Sequence, residues 1–513
     1  MHVLAQAAEA PLNLPQIDWR AVAPELALAG TGLLVLLVVA WWPHARRGLL
    51  AGACLAGIAV AAWLTWWNWD MSKTAFEGAV ALDGITRYAR VILLAVGALA
   101  VLMAAQEAGS DPDEPPEVFP LLLFALTGMI LLAAASDLLV VFIALELLSL
   151  SLYVLAGATR HLRAQEAAMK YFLLGAFSSA FLAYGISLCY GATRTTNLLG
   201  IARAVGDPAV SAGLLLAGVG MLAVGFCFKV AAVPFHMWTP DVYQGSPTSV
   251  TAFMAAGTKA AGFAAFLRVF AGAMGGLVVS WRPVIAAVAV ATMLVGSVLA
   301  IVQSDVKRML AYSSIAHAGY LLIGLAAAPT NPEGIAASMF YLLAYAFMVM
   351  GAFMVVQYAS RLPEVSGELA ATGVASGDDG RDRSSLDDLR GFGRRHPWPA
   401  ALLALFMFAL AGIPPLSGFW AKYYVFQAGI NAGLTWLVVI GVVSSVISAF
   451  FYLRVIMVTY LQEPVTREEA REGGRPQVAL GLALGVAAVL TVAIGLAPQV
   501  LVTAAQTAGR ILG

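Results

Sequence analysis

The stretch VFPLLLFALTGMILLAAASDLLVVFIALELLSLSLYVLAG, residues 118–157, decides the fold class of this chain of 513 residues. Asp137 and Glu146 are its only charged residues. A helix that crosses about 30 Å of hydrocarbon needs roughly 20 apolar residues, so the stretch holds two membrane spans with Asp137 in the turn between them. Strands are not expected, because the apolar run is continuous and an open sheet edge in lipid would leave backbone groups unpaired.

The same pattern continues on both sides of this stretch. Of all residues, 61% are hydrophobic and only 11% are charged, against about 25% charged in soluble proteins, which excludes a soluble enzyme. Fourteen apolar stretches are long enough to span a bilayer, and they lie near residues 22–43, 49–69, 86–106, 117–135, 137–158, 164–190, 210–245, 248–273, 281–303, 307–328, 334–360, 397–428, 432–461 and 476–505. The sequence therefore predicts an all-α, polytopic membrane protein with about 14 transmembrane helices.

Charge and motifs exclude several functions. The 29 basic and 29 acidic residues balance, so there is no electrostatic footprint for nucleic acid. The three cysteines lie in apolar runs without a CxxC or Cys/His cluster, and no P-loop, GxGxxG or HExxH motif occurs, so no metal or cofactor site is expected. The first 20 residues lack the features of a cleaved signal, so we expect the first span to be retained.

The loops predict the orientation. Fifteen Arg and Lys residues lie on one side of the predicted spans and about six on the other. The richer side is expected in the cytoplasm, with both termini outside. The long cytoplasmic loop 361–396 contains SSLDDLRGFGRR, which predicts a short capped helix that starts at Ser384 or Ser385.

The seventh and twelfth spans are interrupted by proline, at Pro234 and at Pro414 and Pro415. Proline removes a backbone donor inside a helix, and irregular backbone at membrane depth persists only where protein or a wet cavity covers it. Two broken helices five spans apart predict two five-helix repeats, spans 4–8 and 9–13, which are inverted because five is odd. The predicted segments are an N-terminal three-helix segment 1–116, a first repeat 117–273, a second repeat 274–461 and a C-terminal helix 462–513.

Ionisable residues inside the apolar runs are the candidates for function. They are expected to face the protein interior, because each costs about 2.5–3.5 kcal/mol at the bilayer centre, and they are Glu146, Lys170, Lys229, Lys259, Lys422, His236 and His317. The chain uses Arg for 23 of its 29 cations, yet four of its six lysines lie in spans. A desolvated lysine can release its proton, whereas arginine cannot. The arginines inside spans are expected near helix ends, where they can snorkel to the surface, and they are Arg90, Arg268 and Arg454.

Glu146 shares a helical face with Ser149 and Tyr153, at i+3 and i+7. Burial favours the neutral carboxyl group, while a nearby lysine favours the charged one. A Glu–Lys pair can therefore change its protonation when a third charge approaches, as a proton relay requires; a static buried salt bridge is the alternative.

His317 lies with Ser313 and Tyr320 on one face of its helix, at i−4 and i+3. Imidazole exchanges protons near neutral pH, so this polar stripe predicts a relay position rather than an ordinary core histidine. His236 follows Pro234 directly, and it is expected to bond backbone carbonyls that the helix break leaves free.

Three segments carry a family resemblance: FKVAAVPFHMWTPDVYQGSPTSVTAFMAAGTKAAGFAAFLR (228–268), QSDVKRMLAYSSIAHAGY (303–320) and LAGIPPLSGFWAKYYVF (410–426). With ALELLSLSLYVLAG and EAAMKYFLLGAFSSA they make the chain resemble the antiporter-like subunits of proton-translocating NADH-quinone oxidoreductase (respiratory complex I), most closely the subunit N type. The resemblance implies a proton-pumping module. It implies that Glu146 and Lys229 form a coupled pair, that Lys170 is the bridging lysine of the sixth helix and that Lys259 is the central lysine.

The resemblance also implies that His317 belongs to a central polar axis and that Lys422, on the broken twelfth helix, leads to the outer exit. A lysine at this position favours the N type over the M type, which has glutamate there. Fourteen helices without a long lateral helix disfavour the L type.

The same resemblance implies that the chain binds no cofactor itself. FMN, iron–sulfur clusters and quinone would belong to partner subunits. The implied partners are the antiporter-like M- and L-type subunits, the small K-, J-, A- and H-type subunits, the peripheral redox arm and membrane lipid. The chain is rich in Arg, Ala and Gly, which suggests a bacterial genome of high GC content. The expected location is therefore the cytoplasmic (inner) membrane of a bacterium.

Two other functions remain open at this point. One is a subunit of a multisubunit Na⁺(K⁺)/H⁺ antiporter, which shares the fold and much of the lysine pattern. The other is a non-pumping structural subunit whose buried ion pairs only fix helix register. The segments AVPFHMWTPDVY and SSIAHAGY favour the oxidoreductase subunit over the antiporter, and the choice of Lys over Arg disfavours the structural subunit.

Overall fold

The computed structural model describes residues 17–42, 45–108, 115–159, 161–360, 384–463 and 478–508. Within these ranges, 12 helices are long and apolar enough to cross a membrane, and Val118–Ala134 and Pro397–Ala411 are shorter apolar helices. Each of the fourteen predicted spans corresponds to one helix or to a pair of consecutive helices. The prediction of an all-α polytopic membrane protein is confirmed.

The helices follow one another along the chain with short connections. They are α1 Ala23–Trp41, α2 Arg47–Trp67, α3 Gly84–Ala108, α4 Val118–Ala134, α5 Leu138–Ala156, α6 Leu162–Thr193, α7 Leu198–Ala204, α8 Ala212–Lys229, α9 Trp238–Gly245, α10 Thr248–Ala273, α11 Val278–Ile301, α12 Val306–Ala327, α13 Glu333–Ser360, α14 Phe392–Arg395, α15 Pro397–Ala411, α16 Ser417–Asn431, α17 Thr435–Leu461, α18 Val478–Leu496 and α19 Pro498–Ala508.

A small hairpin between α2 and α3 contradicts the expectation that strands are absent. Strand β1, Lys73–Ala75, pairs antiparallel with β2, Val80–Leu82. The hairpin lies in the connection between two apolar runs, where the free edge of a strand can meet water instead of lipid. In the described residues, strands are therefore absent from the spans but present in this connection.

The seventh and twelfth spans are both broken at their central prolines, as predicted, whereas Pro283 lies inside α11 without breaking it. Helix α8 ends at Lys229 and α9 begins at Trp238, with Pro234 between them. The indole Nε1 of Trp238 donates a hydrogen bond of 3.0 Å to the Phe228 carbonyl, and the Val233 amide donates to Thr292 Oγ1 at 3.0 Å. These side chains replace helical hydrogen bonds that the break removes, so irregular backbone is covered by protein.

Three helices form the centre of the bundle. The apolar, membrane-spanning parts of α10, α12 and α13 are completely buried inside the protein. Helix α10 is irregular: Met254–Thr258 and Leu267–Ala273 are wound as π-helix, on either side of an α-helical turn that starts at Lys259. Short π segments inside α-helices are rare and occur often at functional sites.

Two buried ion pairs correct the expectation that spanning arginines snorkel. Arg90 pairs with Glu25 at 2.6 Å, and Arg268 pairs with Asp83 at 2.6 Å, with all four side chains nearly inaccessible. Burial of Asp83, just before α3, would raise its pKa, but the charge and hydrogen bonds of Arg268 hold that pKa below its usual value. Since α10 carries Arg268, this pair fastens α3 to the centre of the bundle. The third arginine, Arg454, donates to the carbonyl of residue 301 at 2.9 Å.

The predicted cap after the long loop is confirmed. Ser385 caps a 3₁₀ turn, Leu386–Leu389, and its hydroxyl accepts a hydrogen bond from the Asp387 amide. The preceding residue, Ser384, accepts a 2.6 Å hydrogen bond from the Val306 amide at the start of α12. Residues 361–383 of the loop lie outside the described residues.

Candidate functional site

Lys229 ends α8 beside the first helix break and is only 3% exposed. Its ammonium donates to Ser149 Oγ at 2.9 Å and to the Tyr171 hydroxyl at 3.4 Å, and it lies 5.8 Å from the centre of the Tyr171 ring. Ser149 comes from α5 and Tyr171 from α6. The helical face that Ser149 shares with Glu146 is therefore in contact with Lys229 through Ser149.

Glu146 does not form a direct salt bridge with Lys229. Its half-buried carboxylate accepts a short hydrogen bond from Ser179, and it acts electrostatically on Lys229 from beyond bonding distance. A cavity of about 10 Å³ borders Lys229 and is also lined by Ser149, Tyr153 and Ser179, the serine that binds the Glu146 carboxylate. A cavity of this size is close to the smallest that holds one water molecule. The two groups are thus placed to interact through hydroxyls and water rather than as a static pair.

Lys259 lies in the buried centre of α10 and is 1% exposed. Its ammonium donates to Ser314 Oγ at 2.5 Å and lies 5.9 Å from the centre of the Tyr345 ring. In the described part of the chain, no carboxylate forms a salt bridge with it. A buried cation held by a hydroxyl and an aromatic face is weakly compensated, so its proton is less firmly held than in an ion pair.

His317 is buried in α12 and is hydrogen-bonded through both ring nitrogens. Nδ1 lies 2.6 Å from the Tyr341 hydroxyl and Nε2 lies 3.1 Å from the Tyr452 hydroxyl. Tyr452 continues to Ser313 through a short hydrogen bond. The imidazole ring also lies 4.9 Å from the Tyr345 ring, between centres. His317 therefore occupies the middle of a polar network rather than an isolated position in the core.

Lys422 lies on α16 beside the second helix break and is 6% exposed. Its ammonium donates to the Ala411 carbonyl at 2.8 Å, where α15 ends, and to Ser445 Oγ at 2.8 Å. It lies 5.2 Å from the centre of the Tyr320 ring. The carbonyls at the end of a helix carry partial negative charge, so the break itself stabilises this cation.

Three of the four buried lysines in the described ranges share one arrangement; the fourth, Lys307 at the start of α12, donates to the Ser246 carbonyl. Each of the three donates to a serine hydroxyl and lies within 6 Å of the centre of a tyrosine ring, the sets being Lys229–Ser149–Tyr171, Lys259–Ser314–Tyr345 and Lys422–Ser445–Tyr320. None of the three has a salt-bridge partner in the described ranges. A repeated arrangement of this kind favours three equivalent proton-binding positions over three unrelated structural contacts.

Two of these lysines, Lys259 and Lys422, are also connected with each other through His317. Tyr345 lies between Lys259 and His317, and Tyr320 lies between His317 and Lys422, with ring centres 5.7 Å apart for His317 and Tyr320. Both lysines act electrostatically on the imidazole. The line from the middle of the bundle to the second break is therefore continuous in polar and aromatic groups.

Lys170 differs from the expectation that it faces the interior. Its side chain is 43% exposed and pairs with Glu166 and Asp241, each at 2.8 Å. Asp241, on α9, also binds Arg308 at 2.6 Å. Lys170, Glu166 and Asp241 border an open polar pocket of about 190 Å³. Two carboxylates compensate the charge of Lys170, which sets it apart from the three buried lysines.

His236 covers part of the break, as predicted from its position, because its imidazole donates a hydrogen bond to the Pro234 backbone carbonyl. The Phe228 carbonyl is bound by the indole of Trp238, and Nδ1 of His236 has no hydrogen-bond partner among the described residues. Indole carries a single fixed N–H donor that suits a buried carbonyl, and Trp238 is 1% exposed whereas His236 is only partly buried.

Several members of the network were not predicted. They are Tyr171, Ser314, Tyr341, Tyr345, Ser445 and Tyr452, and each contacts a candidate residue from another helix. One available signal is the polar pattern of residues 444–452, where three serines and a tyrosine interrupt an apolar span.

Comparison with known proteins identifies the family of this arrangement. Residues 135–448 match the family model described as NADH:quinone oxidoreductase/Mrp antiporter, transmembrane. A relative named NADH-quinone oxidoreductase subunit N, from Parafrankia sp., is 44% identical, and the alignment covers 99% of this chain and 98% of the relative.

Solved structures agree on the fold. A chain of respiratory complex I from Thermus thermophilus with bound aureothin is 34% identical with a TM-score of 0.76, covering 94% of this chain and 98% of that chain. A chain of the Mrp complex from Dietzia sp. superposes with a TM-score of 0.80 at only 22% identity, covering 96% of this chain and 97% of that chain. The second similarity concerns the fold alone.

Proposed function

The chain belongs to the NADH:quinone oxidoreductase/Mrp antiporter transmembrane family, and from this membership we infer that it is a proton-translocating membrane subunit of an NADH-quinone oxidoreductase. The observation that carries the inference is the set of three buried lysines held by hydroxyls and aromatic rings, in a chain whose relatives of nearly equal length are named subunit N of that enzyme. Its partners are the other membrane subunits and the peripheral arm of the complex. It contributes to the enzyme's reaction by moving protons, with the redox steps on other chains.

The proposed relay runs from Lys229 through Lys259 and His317 to Lys422. The stem of Lys229 approaches α10 at Gly262, where a Cβ atom would lie 3.7 Å from Lys229 Cγ. Gly262 lies one helical turn from Lys259 on α10. The stem of Lys229 therefore contacts α10 one turn away from Lys259. From Lys259 the path continues over Tyr345 and His317, as described above.

Glu146 supplies the input charge in this proposal. When quinone chemistry in a partner subunit changes the charge near Glu146, the carboxylate changes its interaction with Lys229, and the lysine gains or releases a proton. Because each lysine lacks a carboxylate of its own, a change of charge on one is felt directly by the next. Direction and order of the steps follow from the redox cycle of the complex.

The orientation proposed from the loops assigns one end of the relay to the cytoplasm and the other to the outside. The polar pocket at Lys170 and Asp241 lies at the start of α6, next to the Arg-rich side, and is proposed to take up protons from the cytoplasm. Lys422 then releases protons to the outside. We further propose the bacterial inner membrane as the location, both termini outside, the segments 1–116, 117–273, 274–461 and 462–513 as structural units, and FMN, iron–sulfur clusters and quinone on partner subunits only.

Replacement of Lys229 by Met in the assembled complex tests the function. Methionine keeps the volume and removes the ammonium, so NADH-driven proton uptake and quinone reduction should both fall while assembly stays intact. Lys73→Met is the matched control, because Lys73 lies in β1 outside the spans and pairs with Asp18. We expect this control to pump normally.

If Lys229→Met pumps like Lys73→Met, the buried lysine is structural and the relay is wrong. Pumping that requires Na⁺ would instead favour an antiporter subunit. Both measurements need quantified complex in the membrane, since a subunit lost during assembly would also abolish activity.

A further inference from the structure

An apolar groove on the outside of the bundle lies between α2 and α3 and has a volume of about 460 Å³. Its walls are formed by one face of each helix, lined by Leu55, Ile58, Ala59, Ala62, Thr65, Trp66 and Trp69 on one side and by Val91, Leu94, Ala95 and Ala98 on the other. The small alanines leave a hollow that no side chain of the chain itself fills. None of the proposed relay residues borders it.

The depth of the groove corresponds to one leaflet of a bilayer. From Leu55 to Trp66 the rise is about 16 Å at 1.5 Å per residue, and half of a hydrocarbon core of about 30 Å is about 15 Å. Helix α2 continues for two further turns, towards Arg47, without lining the groove. A transmembrane helix from another protein would need a surface that crosses both leaflets, so the depth favours an acyl chain.

The mouth of the groove has the character of a headgroup site. Trp66 and Trp69 are 73% and 43% exposed, as expected for aromatic residues at the level of lipid headgroups. Arg87 lies one turn before Val91 on the same face of α3, and its guanidinium donates a short hydrogen bond to the Trp69 carbonyl and lies over the Trp69 ring.

The guanidinium of Arg87 is free to bind an anion. It makes no salt bridge with a carboxylate in the described ranges, and only one of its five N–H donors contacts the Trp69 carbonyl. Arginine binds phosphate oxygens through paired N–H donors. A positive group that is fixed at the mouth of an apolar groove complements a molecule with a phosphate at one end and a hydrocarbon chain at the other.

We propose that this groove is a phospholipid site. One acyl chain fills the space between α2 and α3, and the lipid phosphate binds Arg87 beside Trp69. Under the orientation proposed above, which assigns this end of α2 to the outside, the lipid belongs to the outer leaflet. The bound lipid covers the junction between the N-terminal helices, where side chains alone leave it open.

The site is tested by counting the phospholipids that copurify with the intact complex in mild detergent, using mass spectrometry of an organic extract. Arg87→Gln removes the phosphate contact, and Ala62→Phe fills the groove. Each variant should lose about one phospholipid per complex relative to wild type. The matched controls are Arg203→Gln, an exposed arginine away from the groove, and Val60→Phe, an exposed position on α2 that does not line it; both should retain the wild-type number.

Quinone reductase activity and assembly of each variant show that the complex is intact when its lipids are counted. A cryo-electron microscopy map of the wild-type complex gives a second readout that does not depend on any variant. Forked acyl density with a phosphate at Arg87 supports the proposal. Helical density from a partner subunit in the groove, or equal lipid numbers in all variants, would overturn it, and neither result bears on the relay.

Discussion

Replacement of Ser314 by Ala should impair the relay at its centre. Ser314 Oγ is the hydrogen-bond acceptor that the structure provides for the ammonium of Lys259, at 2.5 Å. Both side chains are buried, at 0% and 1% exposure. The substitution leaves the lysine in place and removes its acceptor, together with the hydroxyl that faces Tyr243 and Tyr345.

The magnitude follows from the type of hydrogen bond that is lost. A hydrogen bond to a charged group contributes about 1.5–3 kcal/mol. Without it, the protonated lysine becomes less favourable by that amount, which is about 10- to 150-fold in its population relative to the neutral form. If proton uptake by Lys259 limits turnover, proton pumping and coupled quinone reduction should fall by about tenfold or more.

The assay is proton uptake and quinone reduction by the assembled complex in proteoliposomes. Ser338→Ala is the matched control, because Ser338 is equally buried but its hydroxyl donates only to the carbonyl of residue 334 in its own helix. The control should keep nearly full activity. Equal activities of the two variants would refute the role of Ser314, and with it the idea that hydroxyls hold the lysines for proton exchange.

Four further substitutions, one of them a control, test other parts of the molecule. Tyr452→Phe removes the hydroxyl beside Nε2 of His317, which costs about 1–3 kcal/mol for a buried group left unpaired, and should lower pumping severalfold in proteoliposomes without loss of assembly. Gly412→Ala and Gly433→Ala both place a side chain at positive φ (89° and 78°), which should lower the stability of the fold by about 1–2 kcal/mol each. Only Gly412→Ala puts a Cβ atom 3.2 Å from the ammonium of the lysine in α16. Only that variant should therefore lose activity in addition to thermal stability. Asp83→Asn leaves a buried arginine unpaired, which should lower the free energy of unfolding by about 3–5 kcal/mol. The pKa of Asp83 lies below its usual value of 3.8. The difference in unfolding free energy between wild type and variant should therefore be constant from about pH 5 to about pH 8 and become smaller below about pH 4.

The spans and their interruptions could be predicted because both depend on local sequence. Each span requires a continuous apolar run, and Pro234 and Pro414 each remove a backbone donor in the middle of such a run, whereas Pro283 lies near the start of α11, which stays helical. The capped turn after Ser385 is likewise a local pattern. All of these features appear in the structure where the sequence placed them.

The contacts between helices could not be predicted in the same way. Ser314 is 55 residues away from Lys259, and Tyr452 is 135 residues away from His317, so no local spacing relates them. Lys170 looks like the other spanning lysines in sequence, but only the packing of α6 against α9 shows that it meets Asp241 at an open pocket.

The buried ion pairs of two arginines could not be predicted for a related reason. Arg90 and Arg268 lie near helix ends, where arginine often reaches the lipid headgroups. Their carboxylate partners come from helix starts that are distant in sequence, at Glu25 and Asp83. A buried ion pair of this kind cannot be distinguished from a snorkelling arginine until the packing of the helices is known.

The π-helical turns of α10 have a mechanical consequence. A π turn holds one residue more than an α turn, so Met254–Thr258 stores a surplus residue directly before Lys259. Returning this turn to α-helical winding would rotate the following residues by about 100° around the helix axis. If the surplus residue moved to the second π segment, Leu267–Ala273, Lys259 would change its neighbours while both ends of α10 stayed in place.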